Sequence, residues 1–240
     1  MKVSVVVPAF NEERLLAGSL AAIGEASAAF DEAGWSSEII VCDNNSTDRT
    51  AEIARAAGAT VVFEPVNQIS RARNRGAAAA TGDWLVFVDA DSYPDASLLR
   101  AVVEEIREGC IGGGATVTLD IDDALVRFWV GFWNTLSRGM KWATGSFIFC
   151  EAAAFRELGG FSESLYAAEE IDFSRRLKRL ARRRGARVVI IHRHPLRTSD
   201  RKARLYTKRE HFAFMLKTIL LGGRNLRSRD SCGVWYDGRR

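Results

Sequence analysis

Cysteine is scarce in this chain. Four residues among 240, at positions 42, 110, 150 and 232, form no CxxC pair and match no zinc-ligand spacing. Cys42 and Cys150 fall in apolar, strand-like runs where buried free thiols are common, so all four are expected reduced, as in a cytosolic protein. Long apolar runs are missing too: nothing approaches the about 18 residues needed to cross a bilayer. The seven residues before Pro8 are too few for the apolar core of a secretory leader. These absences predict a cytoplasmic protein, soluble or at most peripheral at the inner face of a membrane. The turn after the first apolar run reads "PAFNEE". It therefore lacks the G-x-G-x-x-G of a dinucleotide-dependent oxidoreductase, and equally a glycine-rich cradle for a triphosphate. Internal repeats and low-complexity linkers are absent, and no nucleic-acid-binding motif accompanies the basic residues.

What remains is the composition of a globular chain, 47% hydrophobic and 27% charged, with a length that fits one α/β domain. Net charge is only +4, but it is unevenly spread: fifteen Lys or Arg lie between Arg175 and Arg209 against the single acid Asp200. Such a run is either a solvated helix face or a surface for polyanions or anionic lipid.

Apolar runs alternate with helical patterns. "VSVVV", "EIIVCD", "ATVVFEP" and "DWLVFVD" read as strands, separated by helices over about 11–31, "STDRTAEIARAAG" and "SRARNRGAAAATG". This alternation predicts parallel βαβ units, and continuous apolarity predicts a sheet covered on both faces. Later, "GGGATVTLDI", "GSFIFC" and "ARVVIIH" read as strands and "EEIDFSRRLKRLARRRG" as a basic amphipathic helix. In "RFWVGFWNTLSRGMKW", Phe128, Trp129, Phe132, Trp133 and Trp142 recur at near-helical spacing. They are a core-facing stripe, a wall for an acceptor, or an interfacial patch.

Ligands of open α/β sheets bind beyond the carboxyl ends of the strands. Asp43 and Asp89 end two of these strands, so both belong to one edge. Asp89 and Asp91, one residue apart, are either a turn with a helix cap at Asp95 or hard oxygen donors for Mg²⁺ or Mn²⁺. Asp43-Asn44 is an Asx turn or a site for a base or ribose. Glu12 is either a helix-terminal acid or part of the same edge. Glu169, Glu170 and Asp172 complement a helix dipole, or one of them is a general base.

The order of these motifs changes their weight. "VSVVVPAFNEE", "IIVCDNNSTDRTAEIA", "ARNRGAAAATGDWLVFVDADS" and "AEEIDFSRRL" together resemble glycosyltransferase family 2, a GT-A-fold group of nucleotide-sugar transferases, over about residues 2–195. The resemblance implies a catalytic domain over 1–198, with a nucleotide-binding half to about 110 and an acceptor half beyond. The remainder, 199–240, is expected to be a helical tail. It also implies a mostly parallel central sheet with helices on both faces. Pro8, Ala9, Asn11 and Glu12 would lie along the nucleotide. Asp43 and Asn44 would contact base and ribose, with Asn44 standing where the family has an acid. Asp91 would meet the metal, with Asp89 and Ala90 beside the ribose or metal waters. Arg71 and Arg73 would contact nucleotide or phosphate, unless they serve packing. Glu170, with Glu169 before it, would occupy the catalytic base position, where the family usually has Asp. His192 and His194 are candidates for a further metal ligand, and Arg197, Ser199 and Arg201 for the diphosphate. The implied reaction is metal-dependent transfer of a sugar from a nucleotide-diphosphate sugar to a carbohydrate or lipid-linked acceptor, with inversion. A sugar-phosphate nucleotidyltransferase and a non-catalytic nucleotide-sugar-binding protein are the rival expectations.

Overall fold

The structure is a computed structural model describing residues 1–119, 121–201 and 223–233. Its elements run β1 (Lys2–Ala9), α1 (Leu16–Ala26), α2 (Ala28–Glu32), β2 (Ser36–Asp43), α3 (Thr50–Ala56), β3 (Thr60–Phe63), α4 (Ile69–Ala79) and β4 (Trp84–Val88). There follow β5 (Ser92–Tyr93), α5 (Ala96–Arg107), β6 (Cys110–Leu119), α6 (Ala124–Met140), β7 (Phe147–Glu151), α7 (Ala152–Glu157), α8 (Glu169–Arg184) and β8 (Arg187–Thr198). Two short 3-10 turns, Arg224–Arg227 and Asp230–Cys232, close the described residues. The helix expected in "LYTKREHFAFMLKTILLGG" lies outside them.

The strands form one sheet in the order β3-β2-β1-β4-β7-β6-β8-β5. As the alternating pattern predicts, β1 pairs in parallel with β2 and β4, and β2 with β3. The second half departs from it. β7 runs antiparallel between β4 and β6, β8 returns parallel to β6, and its end pairs antiparallel with β5. The single helix expected over 11–31 is interrupted at Ser27, whose Oγ donates to the Ile23 carbonyl at 2.7 Å.

Both faces of the sheet are covered. Val3, Val5 and Val7 pack with α1 (Leu16, Leu20, Ile23) and α5 (Leu98, Leu99, Val102). On the opposite face Val6, Leu85, Phe87 and Ile148 meet Phe155, Phe173 and Leu177. Each such side chain contributes roughly 1.5–3 kcal/mol on burial. Phe87 and Phe161 meet edge-on at 5.1 Å, and Phe161 and Phe173 lie 4.8 Å apart.

Two details of packing position the site. A Cβ at Gly76 would come within 2.4 Å of Val6 Cγ1, so α4 lies against the central strand only because this residue has no side chain. The pairing Ser92↔Thr198 brings the end of β8 beside the loop between β4 and β5. Residues 199–201 are thereby delivered to Asp91.

Of the three readings of the aromatic stripe on helix α6, the core-facing one holds only in part: Trp133 is half-buried, but Phe128, Trp129 and Phe132 face outward. All four cysteines are free and buried.

Candidate active site

The site is built along the carboxyl ends of β1, β2 and β4. Ala9 stands in register with Asp43. The segment after Pro8 and Ala9 is tied to the loop after β2. Asn11, at φ 52°, accepts from Thr47 N–H at 2.8 Å through Oδ1, and its own N–H donates to Ser46 Oγ at 3.0 Å. Glu12 is buried, its N–H donating to Thr50 Oγ1 at 2.8 Å. Asp43, also buried, accepts from Ser46 N–H at 3.0 Å.

Asn44 does something the sequence does not announce. Its Nδ2 donates to the carbonyls of Glu64 (3.1 Å) and Val66 (2.6 Å), and its Oδ1 accepts from Gln68 N–H at 3.0 Å. The amide expected along a base is thus committed to the protein's own backbone. It braces the loop between β3 and α4, a task that needs a donor and that a carboxylate could not perform.

The two aspartates of "DAD" turn to different cations. Ala90 between them is buried in the core. Asp89 Oδ1 accepts from Arg73 Nη2 at 3.0 Å. Asp91 Oδ2 accepts from Ser199 Oγ at 2.7 Å and lies 3.3 Å from Arg201 Nη2. Arg201 also forms a two-pronged pair with Glu12, at 2.6 and 2.7 Å. Burial opposes the charge of Arg201, but its hydrogen bonds to Glu12 and the field of Asp91 outweigh it, so its pKa lies above the ordinary value.

Arg73 is fully buried. Besides Asp89 it donates to Glu169 Oε1 at 2.6 Å and to the Gly145 carbonyl at 2.7 Å, and its guanidinium lies 5.4 Å from the Phe161 ring centroid. These contacts belong to the packing alternative of the two expectations for Arg73. Arg71 is half exposed, bonded to Gln68 Oε1 and Glu163.

Glu169 is buried at the start of α8, and Glu170 beside it keeps some exposed surface. Protein packed around its carboxyl, then the negative charge of Glu169, push the Glu170 pKa up to about 8, with Arg73 acting the other way. A Cβ on Gly145 would sit 3.3 Å from Arg73 Nη2 and 3.8 Å from the Glu170 carboxyl carbon, so the absence of a side chain there lets the backbone lie close against both groups. Gly145 is a site neighbour that sequence reading missed; a lone glycine in "WATGS" gives no signal.

Among the described residues no group of three or more His, Cys, Asp and Glu could hold a metal. His192 and His194 line a groove of about 820 Å³ with α5 and the end of α6, a groove that includes neither Asp89 nor Asp91. The structure does not join them to the aspartates in one ligand set. Asp91 and Glu12 nevertheless fit a hard divalent cation by donor type: they offer carboxylate oxygens, and a positive group already spans them. An ion there would rest on one or two carboxylates, completed by phosphates and water.

This sheet order and acid-lined edge define a GT-A architecture, and comparison of whole structures agrees. The chain superposes on a mannosyltransferase from Pyrobaculum calidifontis, solved with GDP-mannose and Mn²⁺, with a TM-score of 0.68 at 21% identity, covering 94% of this chain and 62% of that one. For Mycobacterium tuberculosis glucosyl-3-phosphoglycerate synthase, solved with Mn²⁺, UDP and phosphoglyceric acid, the TM-score is 0.61 at 21% identity, covering 91% and 76%. An uncharacterized glycosyltransferase of M. tuberculosis is 41% identical over 107 residues, 45% of this chain and 44% of its own length. The matched stretch is thus less than half of that relative. The family model described as Glycosyl transferase family 2 matches residues 4–157. The chain belongs to glycosyl transferase family 2.

Proposed function

We propose that the protein transfers a sugar from a nucleotide-diphosphate sugar to an acceptor hydroxyl, with a divalent metal and with inversion at the anomeric carbon. The observation that carries this reading is one ionic linkage. Arg73 joins Asp89, at the end of β4, to Glu169, at the start of α8, with Glu170 adjoining. It ties the acid-bearing sheet edge to a carboxyl suited to proton abstraction.

Glu170 is the general base. With a pKa near 8 it holds a proton more tightly than an ordinary carboxylate, which makes it a stronger base once ionised. The acceptor gives its hydroxyl proton to Glu170. Its oxygen attacks the anomeric carbon, and the bond from that carbon to the diphosphate oxygen breaks on the opposite face. The nucleoside diphosphate leaves. Asp91, with Glu12, would hold Mn²⁺ or Mg²⁺, which supplies charge neutralisation of the diphosphate. Arg201 lies within reach of the same carboxylates and offers a guanidinium to phosphate. Asp43 is the remaining side chain for base or ribose, and the acceptor is a carbohydrate or a lipid-linked hydroxyl. The Mn²⁺ and nucleotides in the two solved neighbours support the metal and the donor class.

Thermal-shift screening of UDP-, GDP- and dTDP-sugars, with and without Mn²⁺, tests the proposal. A true donor at about 100 times its dissociation constant stabilises the fold by roughly 2.7 kcal/mol. Melting curves unmoved by every nucleotide and metal combination would overturn it.

A further inference from the structure

Helix α6 turns its apolar side away from the protein. Only Ser137 is fully buried in its 17 residues. Asn134 anchors the helix: Oδ1 accepts from Val117 N–H at 3.0 Å and Nδ2 donates to the Val117 carbonyl at 2.8 Å, replacing a strand partner where β7 no longer pairs with β6. On the outer side Leu125 is 45% exposed, Phe128 64%, Trp129 48% and Phe132 53%. The rings of Phe128 and Trp129 meet edge-on at 5.7 Å, and those of Trp129 and Phe132 at 5.8 Å, so the apolar groups form one cluster. Contiguous aromatic surface of this kind marks a binding face.

Charge identifies the occupant. Between Ala124 and Met140 the helix carries Arg127 and Arg138 and no acid. Its N-terminal end holds Asp122, paired with Arg127, and the capping Asp123. Its C-terminal end is cationic: Lys178 donates to the Met140 carbonyl, and Arg175 lies over the Trp142 ring at 4.9 Å. Burial, then the positive charges of Arg182, Arg175 and Lys141, lower the Lys178 pKa, which shows how closely these cations are gathered. A carbohydrate would need several polar groups, and of the four exposed side chains only Trp129 has one. An anionic bilayer satisfies both features, with aromatic rings at the headgroup–acyl boundary and cations against lipid phosphate.

We propose that α6 is a membrane-docking helix that seats its Phe128–Trp129–Phe132 cluster in the surface of an anionic bilayer. The inference is independent of the glycosyl-transfer reading, because binding is measured without donor, acceptor or metal. The test is co-sedimentation of the full chain with vesicles of phosphatidylcholine alone and of phosphatidylcholine mixed with phosphatidylglycerol, at low and high salt. The mixed vesicles are expected to bind the protein and to release part of it at high salt. Phe128→Ser/Trp129→Ser/Phe132→Ser should weaken binding about tenfold or more with an unchanged melting temperature, since all three side chains are exposed. As a second reading that needs no altered fold, brominated lipid should quench the fluorescence of the wild type more than that of Trp129→Phe. Absence of binding to any vesicle would overturn the proposal, as would full binding by the triple variant. So would self-association abolished by the triple substitution without lipid binding.

Discussion

Arg201 grips Glu12 through both terminal nitrogens, at 2.6 and 2.7 Å, across 189 residues of chain. Its Nη2 also lies 3.3 Å from Asp91. One guanidinium therefore occupies the carboxylates assigned to a divalent cation, and the two positive groups compete. Arg201→Ala should bind Mn²⁺ more tightly than wild type in the absence of nucleotide, by about tenfold, as measured by calorimetric titration. It should also lose roughly 1–3 kcal/mol of stability through the unpaired buried carboxylates. Unchanged Mn²⁺ affinity would remove the metal from this pair of acids.

Asp91→Ala should leave the fold intact and abolish the Mn²⁺-dependent part of nucleotide binding. The comparison is the thermal shift produced by nucleotide with and without metal. An identical metal-dependent shift in the variant would refute the ligand role.

Arg73 presents the opposite case. Its partners Asp89 and Glu169 have side chains only 15% and 4% exposed, so removing the guanidinium strands two negative charges in protein. Arg73→Met is expected to cost about 3–5 kcal/mol, which lowers Tm by roughly 10 °C in a domain of this size. A melting temperature within a degree or two of wild type would show that the linkage holds nothing.

Glu170 carries the pH dependence. Its folded pKa is raised to about 8, chiefly by burial, so the native chain keeps a proton there that the unfolded chain releases above its ordinary value of 4.5. The native state then binds more protons across this interval. The stabilisation from that proton is complete below about 4.5 and is lost as pH rises through about 8. Activity should rise over the same range as the carboxylate forms. Glu170→Gln should lose about 10²-fold or more in kcat while gaining on the order of 1 kcal/mol at pH 9 relative to wild type. A flat profile of kcat/KM between pH 6 and pH 9 would exclude Glu170 as the base.

Asn44→Asp restores the acid usual in the family at this position, yet it should be harmful here. The new carboxylate would face the carbonyls of Glu64 and Val66, which now accept hydrogen bonds from Nδ2. A loss of about 1–3 kcal/mol is expected, read as a lower urea midpoint. Undiminished stability would mean that the loop does not depend on this amide.

The parts legible in the sequence are those set by local pattern. "VSVVV" and "DWLVFVD" announce buried strands because every position is apolar, and the rule for sheet edges places Asp43 and Asp89 together without coordinates. What escaped depends on distant segments meeting. Nothing near Arg201 names Glu12, and their pairing follows from β8 ending against β5, a two-residue strand too short to show a pattern. Asn44 reads as a weakened copy of a family acid until the loop at 64–68 is seen to need a donor. Helix α6 leaves several readings open in the sequence for a physical reason: periodicity reveals that a helix has an apolar side but not which way that side faces. A single anchoring asparagine at residue 134 turns it outward.

The missing side chain at residue 76 reaches further than the contact it avoids. With only hydrogen against Val6, the backbone of α4 can lie flush on the sheet, and one turn earlier in the same helix an arginine becomes long enough to touch two distant parts of the chain at once. A methyl group added there would act as a shim, lifting the whole helix and pulling that arginine back from the acids it joins. The alignment of the acid pair with its neighbouring carboxyl is thus governed from a position that touches neither.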